Sequence, residues 1–276
     1  MKRRIFLWLI IAILTNSSFS QNWQSLKGGI DWAGVNELME DTSSSALYVV
    51  GGFKTVDGMD IRGVAKWDGV KWDSLGSGID DDQTSFPQRT WAICRYDGYI
   101  YIGGAFHKAG DVYTNFVARW NGMQWDSLPE TVDNSVSDLL VFNQKLIACG
   151  TFSYAGGVPT NRIAQWDGTS WSKVDSTTWE GDGISVLSIF DSSLVIGGNF
   201  WNEDVSRVAM WDGENWNPLG VGLLGSSAWI NAMTVYKNEL YIAGYFSTLD
   251  GNAGNFIHDY SGQTVPLILG ESVPAL

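Results

Sequence analysis

Trp67-Asp68-Gly69-Val70-Lys71-Trp72 is the first of four copies of one frame, W-[DN]-G-x-x-W. The others are Trp120-Asn121-Gly122-Met123-Gln124-Trp125, Trp166-Asp167-Gly168-Thr169-Ser170-Trp171 and Trp211-Asp212-Gly213-Glu214-Asn215-Trp216. About fourteen residues before each frame a short apolar run closes on x-G-x-F, at Gly51 and Phe53, Gly104 and Phe106, Gly150 and Phe152, and Gly198 and Phe200. A fifth run ends at Gly244 and Phe246 and leads to Tyr260-Ser261-Gly262, where Tyr replaces the first Trp and the second is missing. The period lies in the high forties to low fifties, and its units read as short strands between turn signals. That pattern predicts propeller blades rather than a helical solenoid.

Each unit reads as four antiparallel strands. In the third, Val136 to Phe142 is one strand, Asn143-Gln144-Lys145 a tight turn, Leu146 to Phe152 a second strand, Arg162 to Trp166 a third and Ser170 to Val174 a fourth. The Asp-Gly or Asn-Gly steps at 68, 121, 167 and 212 predict type I′ turns, which need positive φ at both central residues. The glycines ahead of the Phe residues predict bulges or close approach of backbones inside a sheet. A Trp pair present in every blade is assigned to packing, so function is sought where the blades differ.

Asn22-Trp23-Gln24-Ser25-Leu26 followed by Gly29-Ile30 matches Lys71-Trp72-Asp73-Ser74-Leu75 followed by Gly78-Ile79. The mature chain therefore opens on a lone fourth strand, while the fifth unit lacks its second Trp. The expectation is an all-β, five-bladed propeller of four-stranded antiparallel blades, closed by the N-terminal strand, with Trp23 packed in the fifth blade. Closure removes exposed strand edges. The rival expectation is that further blades follow Leu276. The domain reading is a signal peptide over 1–20, a propeller over 21–265 and a tail over 266–276.

The pattern G-G-x-F, then A-[KRQM]-W-D-G-x-x-W-x-x-L-G-x-G, as in Gly51 to Gly78, resembles repeats of secreted propeller proteins of the Bacteroidota and of the fungal cortical cell-polarity markers. It is more distantly similar to kelch. The resemblance spans nearly all of 22–265 and implies an extracellular or envelope location with no established catalytic residues to transfer.

The compartment reading agrees. Lys2, Arg3 and Arg4, the apolar run from Ile5 to Leu14 and the small-residue ending Ser18-Phe19-Ser20 form a signal-peptide pattern. No apolar stretch after it approaches spanning length. Removing the leader takes three of the seventeen basic residues and none of the thirty acids, leaving a net charge near −16. That field opposes nucleic acid and anionic membranes. Cys94 and Cys149 fall at unlike positions of their units and read as two buried thiols rather than a disulfide.

Chemistry is sparsely signalled. Aligning the first strands puts carboxylates at the same place only in Glu37 and Asp138, an arrangement a glycan-cleaving enzyme could use as an acid and base pair. The preferred reading is hydrogen-bonded structural acids and no catalysis. His107 and His258 lie at unlike positions, which disfavours a nucleophile–histidine pair. Asp80-Asp81-Asp82, Asp57 with Asp60, and Glu180 with Asp182 offer oxygen ligands without calcium-loop spacing, so no metal and no cofactor is assigned.

Long connections, such as Lys54 to Ile61, Asp80 to Gln88 and Asp175 to Gly183, are expected on one face of the propeller, a layout suited to binding. After the leader, and apart from Trp23, five tryptophans lie outside the repeat frame. Trp32, Trp91, Trp179 and Trp229 fall in or just after connections into innermost strands, and Trp201 follows Phe200. With Glu37 and Asp138 they form the candidate ligand-binding set: a rim of aromatic rings for sugar or apolar side chains. Trp91 is also placed to point into a blade interface. The resulting expectation is a secreted, monomeric binding or scaffold protein for a surface glycan or protein. A purely structural module of a larger envelope protein is the further alternative.

Overall fold

The computed structural model describes residues 26, 29–79, 89–219, 223–224, 229–245 and 248–249. All its regular elements are strands. They are β1 Ile30–Asp41, β2 Ala46–Val56, β3 Met59–Asp60, β4 Val64–Trp67 and β5 Trp72–Ser74, then β6 Arg89–Tyr96, β7 Tyr99–Ala105, β8 Lys108–Ala109, β9 Val112–Tyr113, β10 Val117–Trp120 and β11 Trp125–Ser127. Next come β12 Val136–Phe142, β13 Lys145–Gly150, β14 Tyr154–Ala155, β15 Val158–Pro159, β16 Ile163–Trp166 and β17 Trp171–Lys173. The last are β18 Glu180–Phe190, β19 Ser193–Trp201, β20 Ser206–Trp211, β21 Trp216–Pro218, β22 Leu223–Leu224, β23 Trp229–Tyr236, β24 Glu239–Tyr245 and β25 Thr248–Leu249.

Each of the first four repeats forms a meander in which every strand pairs with its predecessor in the repeat: β1-β2-β4-β5, β6-β7-β10-β11, β12-β13-β16-β17 and β18-β19-β20-β21. Of the fifth repeat, the hairpin β23-β24 is described, together with the ribbon β22-β25. This all-β succession of four-stranded antiparallel sheets is consistent with a β-propeller. Trp23 and Phe246, on which closure turns, lie outside the described residues, as do the leader and the tail.

The chain divides into two compact units, Met1–Val141 and Phe142–Leu276. In the first, Val50 and Tyr48 of one sheet pack on Ile93, Ile102 and Phe106 of the next. In the second, Val186, Val195 and Val208 pack on Ile230, Met233 and Ile242. Phe53, Phe106, Phe152 and Phe200 are at most 2% exposed. Each such burial contributes about 1.5–3 kcal/mol.

The glycine of G-x-F has a specific cause. Strands β1, β6, β18 and β23 share a bulge at one place, with the extra residue at Asn36, Trp91, Ser185 and Asn231, and β1 and β18 carry further register shifts ahead of it. The bulge drives the carbonyl before it into the second strand. A Cβ at Gly51 would lie 2.2 Å from the Gly34 oxygen, at Gly104 2.1 Å from that of Arg89, at Gly198 2.4 Å from that of Gly183, and at Gly244 2.0 Å from that of Trp229. Only a residue without Cβ fits.

The predicted type I′ turns are present but elsewhere. Positive φ at both central residues occurs at Asp97-Gly98, Asn143-Gln144, Asp191-Ser192 and Lys237-Asn238, the links between first and second strands. In the W-[DN]-G-x-x-W frame the two Trp residues pair directly, so the loop has four residues and only its glycine has positive φ. The Asp or Asn side chain does the rest. The Asp68 carboxylate accepts the N–H groups of Val70 and Lys71, both at 2.8 Å, and Asn121, Asp167 and Asp212 repeat the pattern. It is an Asx cap, a competing use of the same dipeptide.

These donors hold Asp68, Asp167 and Asp212 below the usual carboxylate range, the leading contributions being the N–H groups of Lys71, Ser170 and Asn215. The sign follows: folded pKa values below the unfolded value of about 3.9 give stability that is present above that pH and lost as pH falls through the folded values. Replacing all three by Asn, the residue already at 121, is expected to flatten the loss of stability below about pH 4. Urea midpoints measured between neutral and acid pH check this, and an unchanged acid slope contradicts it.

The second Trp of each pair is wedged and buried, at 4%, 3%, 5% and 8% exposure for Trp72, Trp125, Trp171 and Trp216. Its ring lies 5.1–5.3 Å from the first Trp. The Trp125 indole N–H donates to the Leu75 carbonyl at 2.8 Å, and that of Trp72 to Leu26 at 3.1 Å. The connections from second to third strand, expected as long loops, are in three repeats short ribbons: β3 against β2, β8 with β9, and β14 with β15. Their inward residues Val56, Ala109 and Ala155 are fully buried, which makes these segments architecture rather than variable loop.

Candidate functional site

The bulged first strands place the two candidate acids. Glu37 is 8% exposed and its Oε2 accepts the Ile93 N–H at 2.9 Å. Beside it, the Asn36 amide donates to the Thr90 carbonyl at 2.9 Å, and Arg95 donates to the buried Asp41 carboxylate at 2.7 Å. These three contacts tie β1 to β6. Asp138, 7% exposed, accepts the N–H of Leu139, which occupies in its strand the position of Ile93 in β6. An N–H on the outer edge of a first strand has no ladder partner, and these carboxylates supply one. Each acid therefore has a structural occupation where the sequence permits a catalytic one.

The extra tryptophans part company. Trp179 is 4% exposed and packs edge-on against Phe200 at 4.8 Å and Trp216 at 5.8 Å. It is a core residue of the second unit, and the expectation of an exposed rim ring does not hold for it. The cause is β18, which begins at Glu180 and turns the second half of the expected loop, Glu180 to Gly183, into strand, while Trp179 just before it packs on Phe200 and Trp216. Trp91 is the bulge residue of β6 and is half-buried. Trp32 pairs with Phe53 through the backbone at the start of β1, and its side chain lies outside the described residues. Trp201 and Trp229 remain 38% and 43% exposed.

Both exposed rings are anchored to β18. The Trp201 indole N–H donates to Glu180 Oε2 at 3.0 Å, and that of Trp229 to Ser185 Oγ at 3.0 Å. Trp201 is not in a loop after Phe200 but ends β19, opposite Glu180. The Arg207 guanidinium lies over its ring, 5.1 Å from the centroid. Arg207 also donates to Asn199 Oδ1, whose amide donates to Asp182. Burial lowers the Arg207 pKa from its ordinary value, and the Asp182 carboxylate opposes that shift. Arg162 donates to the carbonyl of Gly181, the residue whose Cα faces Trp201 Cζ3.

Sequence reasoning missed the arginines, although a signal exists. The residue four before the first Trp of each pair has left-handed backbone: Gly63 at φ 70°, Phe116 at 63° and Arg162 at 74°, each just ahead of its third strand, and Arg207 at 67°, the second residue of β20. In alignment these are G-V-A-K-W, F-V-A-R-W, R-I-A-Q-W and R-V-A-M-W. A bulky residue where glycine is the natural occupant marks a position worth attention.

The other candidates stay local. Asp60 pairs with Arg62 at 2.7 Å. Glu180 and Asp182 serve Trp201 and Asn199, and Asp80 to Asp82 lie outside the described residues. Among the described residues no group of three metal-binding side chains is assembled. His107 bonds Asn115 at 3.1 Å and packs on Phe116, and His258 lies outside the described residues. Cys149 is a buried thiol as expected, whereas Cys94 is only half-buried.

No protein-family model matches the chain. No curated protein matches it either. Among solved structures, the computationally designed Ika8 protein is similar over 77% of this chain at 15% identity, with a TM-score of 0.46. This chain spans 56% of that protein's length. YCF48 bound to D1 peptide is similar over 80% of this chain and 77% of its own, at 12% identity and a TM-score of 0.35.

Proposed function

We propose that this chain is a secreted, non-catalytic binding or scaffold module that recognises a carbohydrate or protein at the cell surface through Trp201 and Trp229. The observation that carries the reading is the anchoring of two exposed indoles, each by its own N–H, to one strand. Rings fixed before contact lose little conformational entropy on binding, which is what a stacking surface needs. The repeat-frame tryptophans are accounted for by packing, and these two are not.

The scaffold in this reading is a five-bladed ring closed by the N-terminal strand. Support comes from the indole of Trp72, which donates to Leu26 as that of Trp125 donates to Leu75. Leu26 thus bears the same relation to the first sheet as Leu75 to the second. The signal-peptide pattern of residues 1–20 supports secretion to the envelope or beyond, and the strongly acidic mature chain supports a partner other than nucleic acid.

Alanine at both Trp201 and Trp229 is expected to weaken binding by about 2 kcal/mol or more while thermal stability stays close to wild type. A surface-glycan array and pull-down of envelope proteins, each run with both proteins, measure this. Equal binding by the double variant contradicts the proposal.

A further inference from the structure

We infer that Trp201 is the platform of a site for an uncharged saccharide, with Arg207 and Gly181 as its positioning residues. The inference rests on the reading of the Trp201 and Trp229 surface as a binding surface, and it assigns the ligand class and the residues that prepare the site.

Three contacts fix the ring. Its N–H is held by Glu180 Oε2 at 3.0 Å. Arg207, itself only 8% exposed, lies over it. The third contact is Gly181, at φ 97°, where a Cβ would stand 2.7 Å from Trp201 Cζ3 and 2.3 Å from the Asn199 carbonyl oxygen. The ring is nevertheless 38% exposed. An indole pinned this firmly and still open to water does not behave as core.

Charge selects the ligand. The exposed carboxylates of Glu180, Asp182, Glu203 and Asp204 lie beside Trp201 in the sheet or follow it in the chain. They repel uronic or sulfated sugars. A cationic group is drawn to the same carboxylates, but the Arg207 guanidinium already engages the π system of the ring and opposes a second cation on it, so such a group binds the carboxylates and not Trp201. An uncharged sugar can use the ring itself. Its C–H face stacks on the indole, and its hydroxyls donate to the carboxylates, which accept only.

Arg207 is kept at a cost. Its backbone sits where Gly63 stands in the first repeat, at a φ of 67° where an L side chain is strained. Arg207→Gly therefore separates a positioning role from a structural one. Binding of the purified chain to immobilised β-glucan, mannan and xylan, to cationic chitosan and to anionic alginate is measured alongside thermal unfolding. At an ionic strength that screens the attraction of a polycation to this acidic chain, the expected result is wild-type binding to at least one uncharged polysaccharide and to neither charged one. Arg207→Gly should weaken that binding at least about tenfold. The melting temperature of Arg207→Gly should be unchanged or raised, and Arg207→Lys should bind between the two.

Wild-type binding only to chitosan or alginate, or to no polysaccharide, overturns the saccharide assignment. If the chain then captures an envelope protein through Trp201, the binding-surface reading stands alone. Full binding by Arg207→Gly, with binding abolished in Trp201→Ala, overturns the positioning role and leaves the surface. Loss of binding in Arg207→Gly together with a markedly lowered melting temperature makes Arg207 structural and also overturns it.

Discussion

Gly104→Val is expected to cost about 3 kcal/mol or more and to leave the chain largely unfolded. All three nearest neighbours of the new Cβ are backbone: the Arg89 carbonyl oxygen at 2.1 Å, and its carbon and the Thr90 Cα at 3.0 Å. No rotamer relieves a collision with backbone, and moving Arg89 means dissolving the bulge that sets the register of β6 on β7. The control is Gly122→Ala. Gly122 has open space within 4 Å but sits at φ 101°, so alanine there should cost only the backbone strain of about 1–2 kcal/mol. Urea denaturation of the two variants separates a need for space from a need for conformation. Equal, small losses contradict the bulge account.

Trp125→Ala is expected to cost about 3–5 kcal/mol, by cavity formation and lost burial. The ring is 3% exposed, lies 5.3 Å from Trp120 and donates to the Leu75 carbonyl at 2.8 Å. Gly110 of the β8-β9 ribbon packs close enough that a Cβ there would sit 2.9 Å from Trp125 Cδ1. The ring thus joins three segments: the ribbon, its own fourth strand and the tail of the preceding repeat. Trp120→Ala removes a half-buried ring and should cost visibly less. Equal costs for the two would mean that the pair does not divide into wedge and cover as the burial indicates.

What the sequence disclosed and what it hid have different physical origins. The strands of the third repeat are legible almost to the residue, since Val136 to Phe142 and Ile163 to Trp166 are short apolar-rich runs bounded by turn residues that recur from repeat to repeat. The turn at Asp68-Gly69 illustrates the limit. The dipeptide supports either a two-residue hairpin or an Asx cap, and the flanking Trp67 and Trp72 decide for the cap by pairing with each other. Trp179 reads as a rim residue only while Glu180 to Gly183 reads as loop, and hydrogen bonding of that stretch to Asn199, Phe200 and Trp201 is a long-range fact. Glu37 is similar: its partner, Ile93 N–H, belongs to another repeat and leaves no local trace. Arg207 was the recoverable miss, visible on aligning it with Gly63.

Hydrogen–deuterium exchange of the full chain, with and without a saturating polysaccharide identified on the neutral panel, decides whether Trp201 and Trp229 form the binding surface. New protection is expected at 180–185, 199–207 and 229–231, around the anchors of Trp201 and Trp229, with unchanged exchange around Glu37 and Asp138. Protection confined to 35–41 and 136–140, with none around Trp201, would contradict it and return the buried acids to the centre of the function.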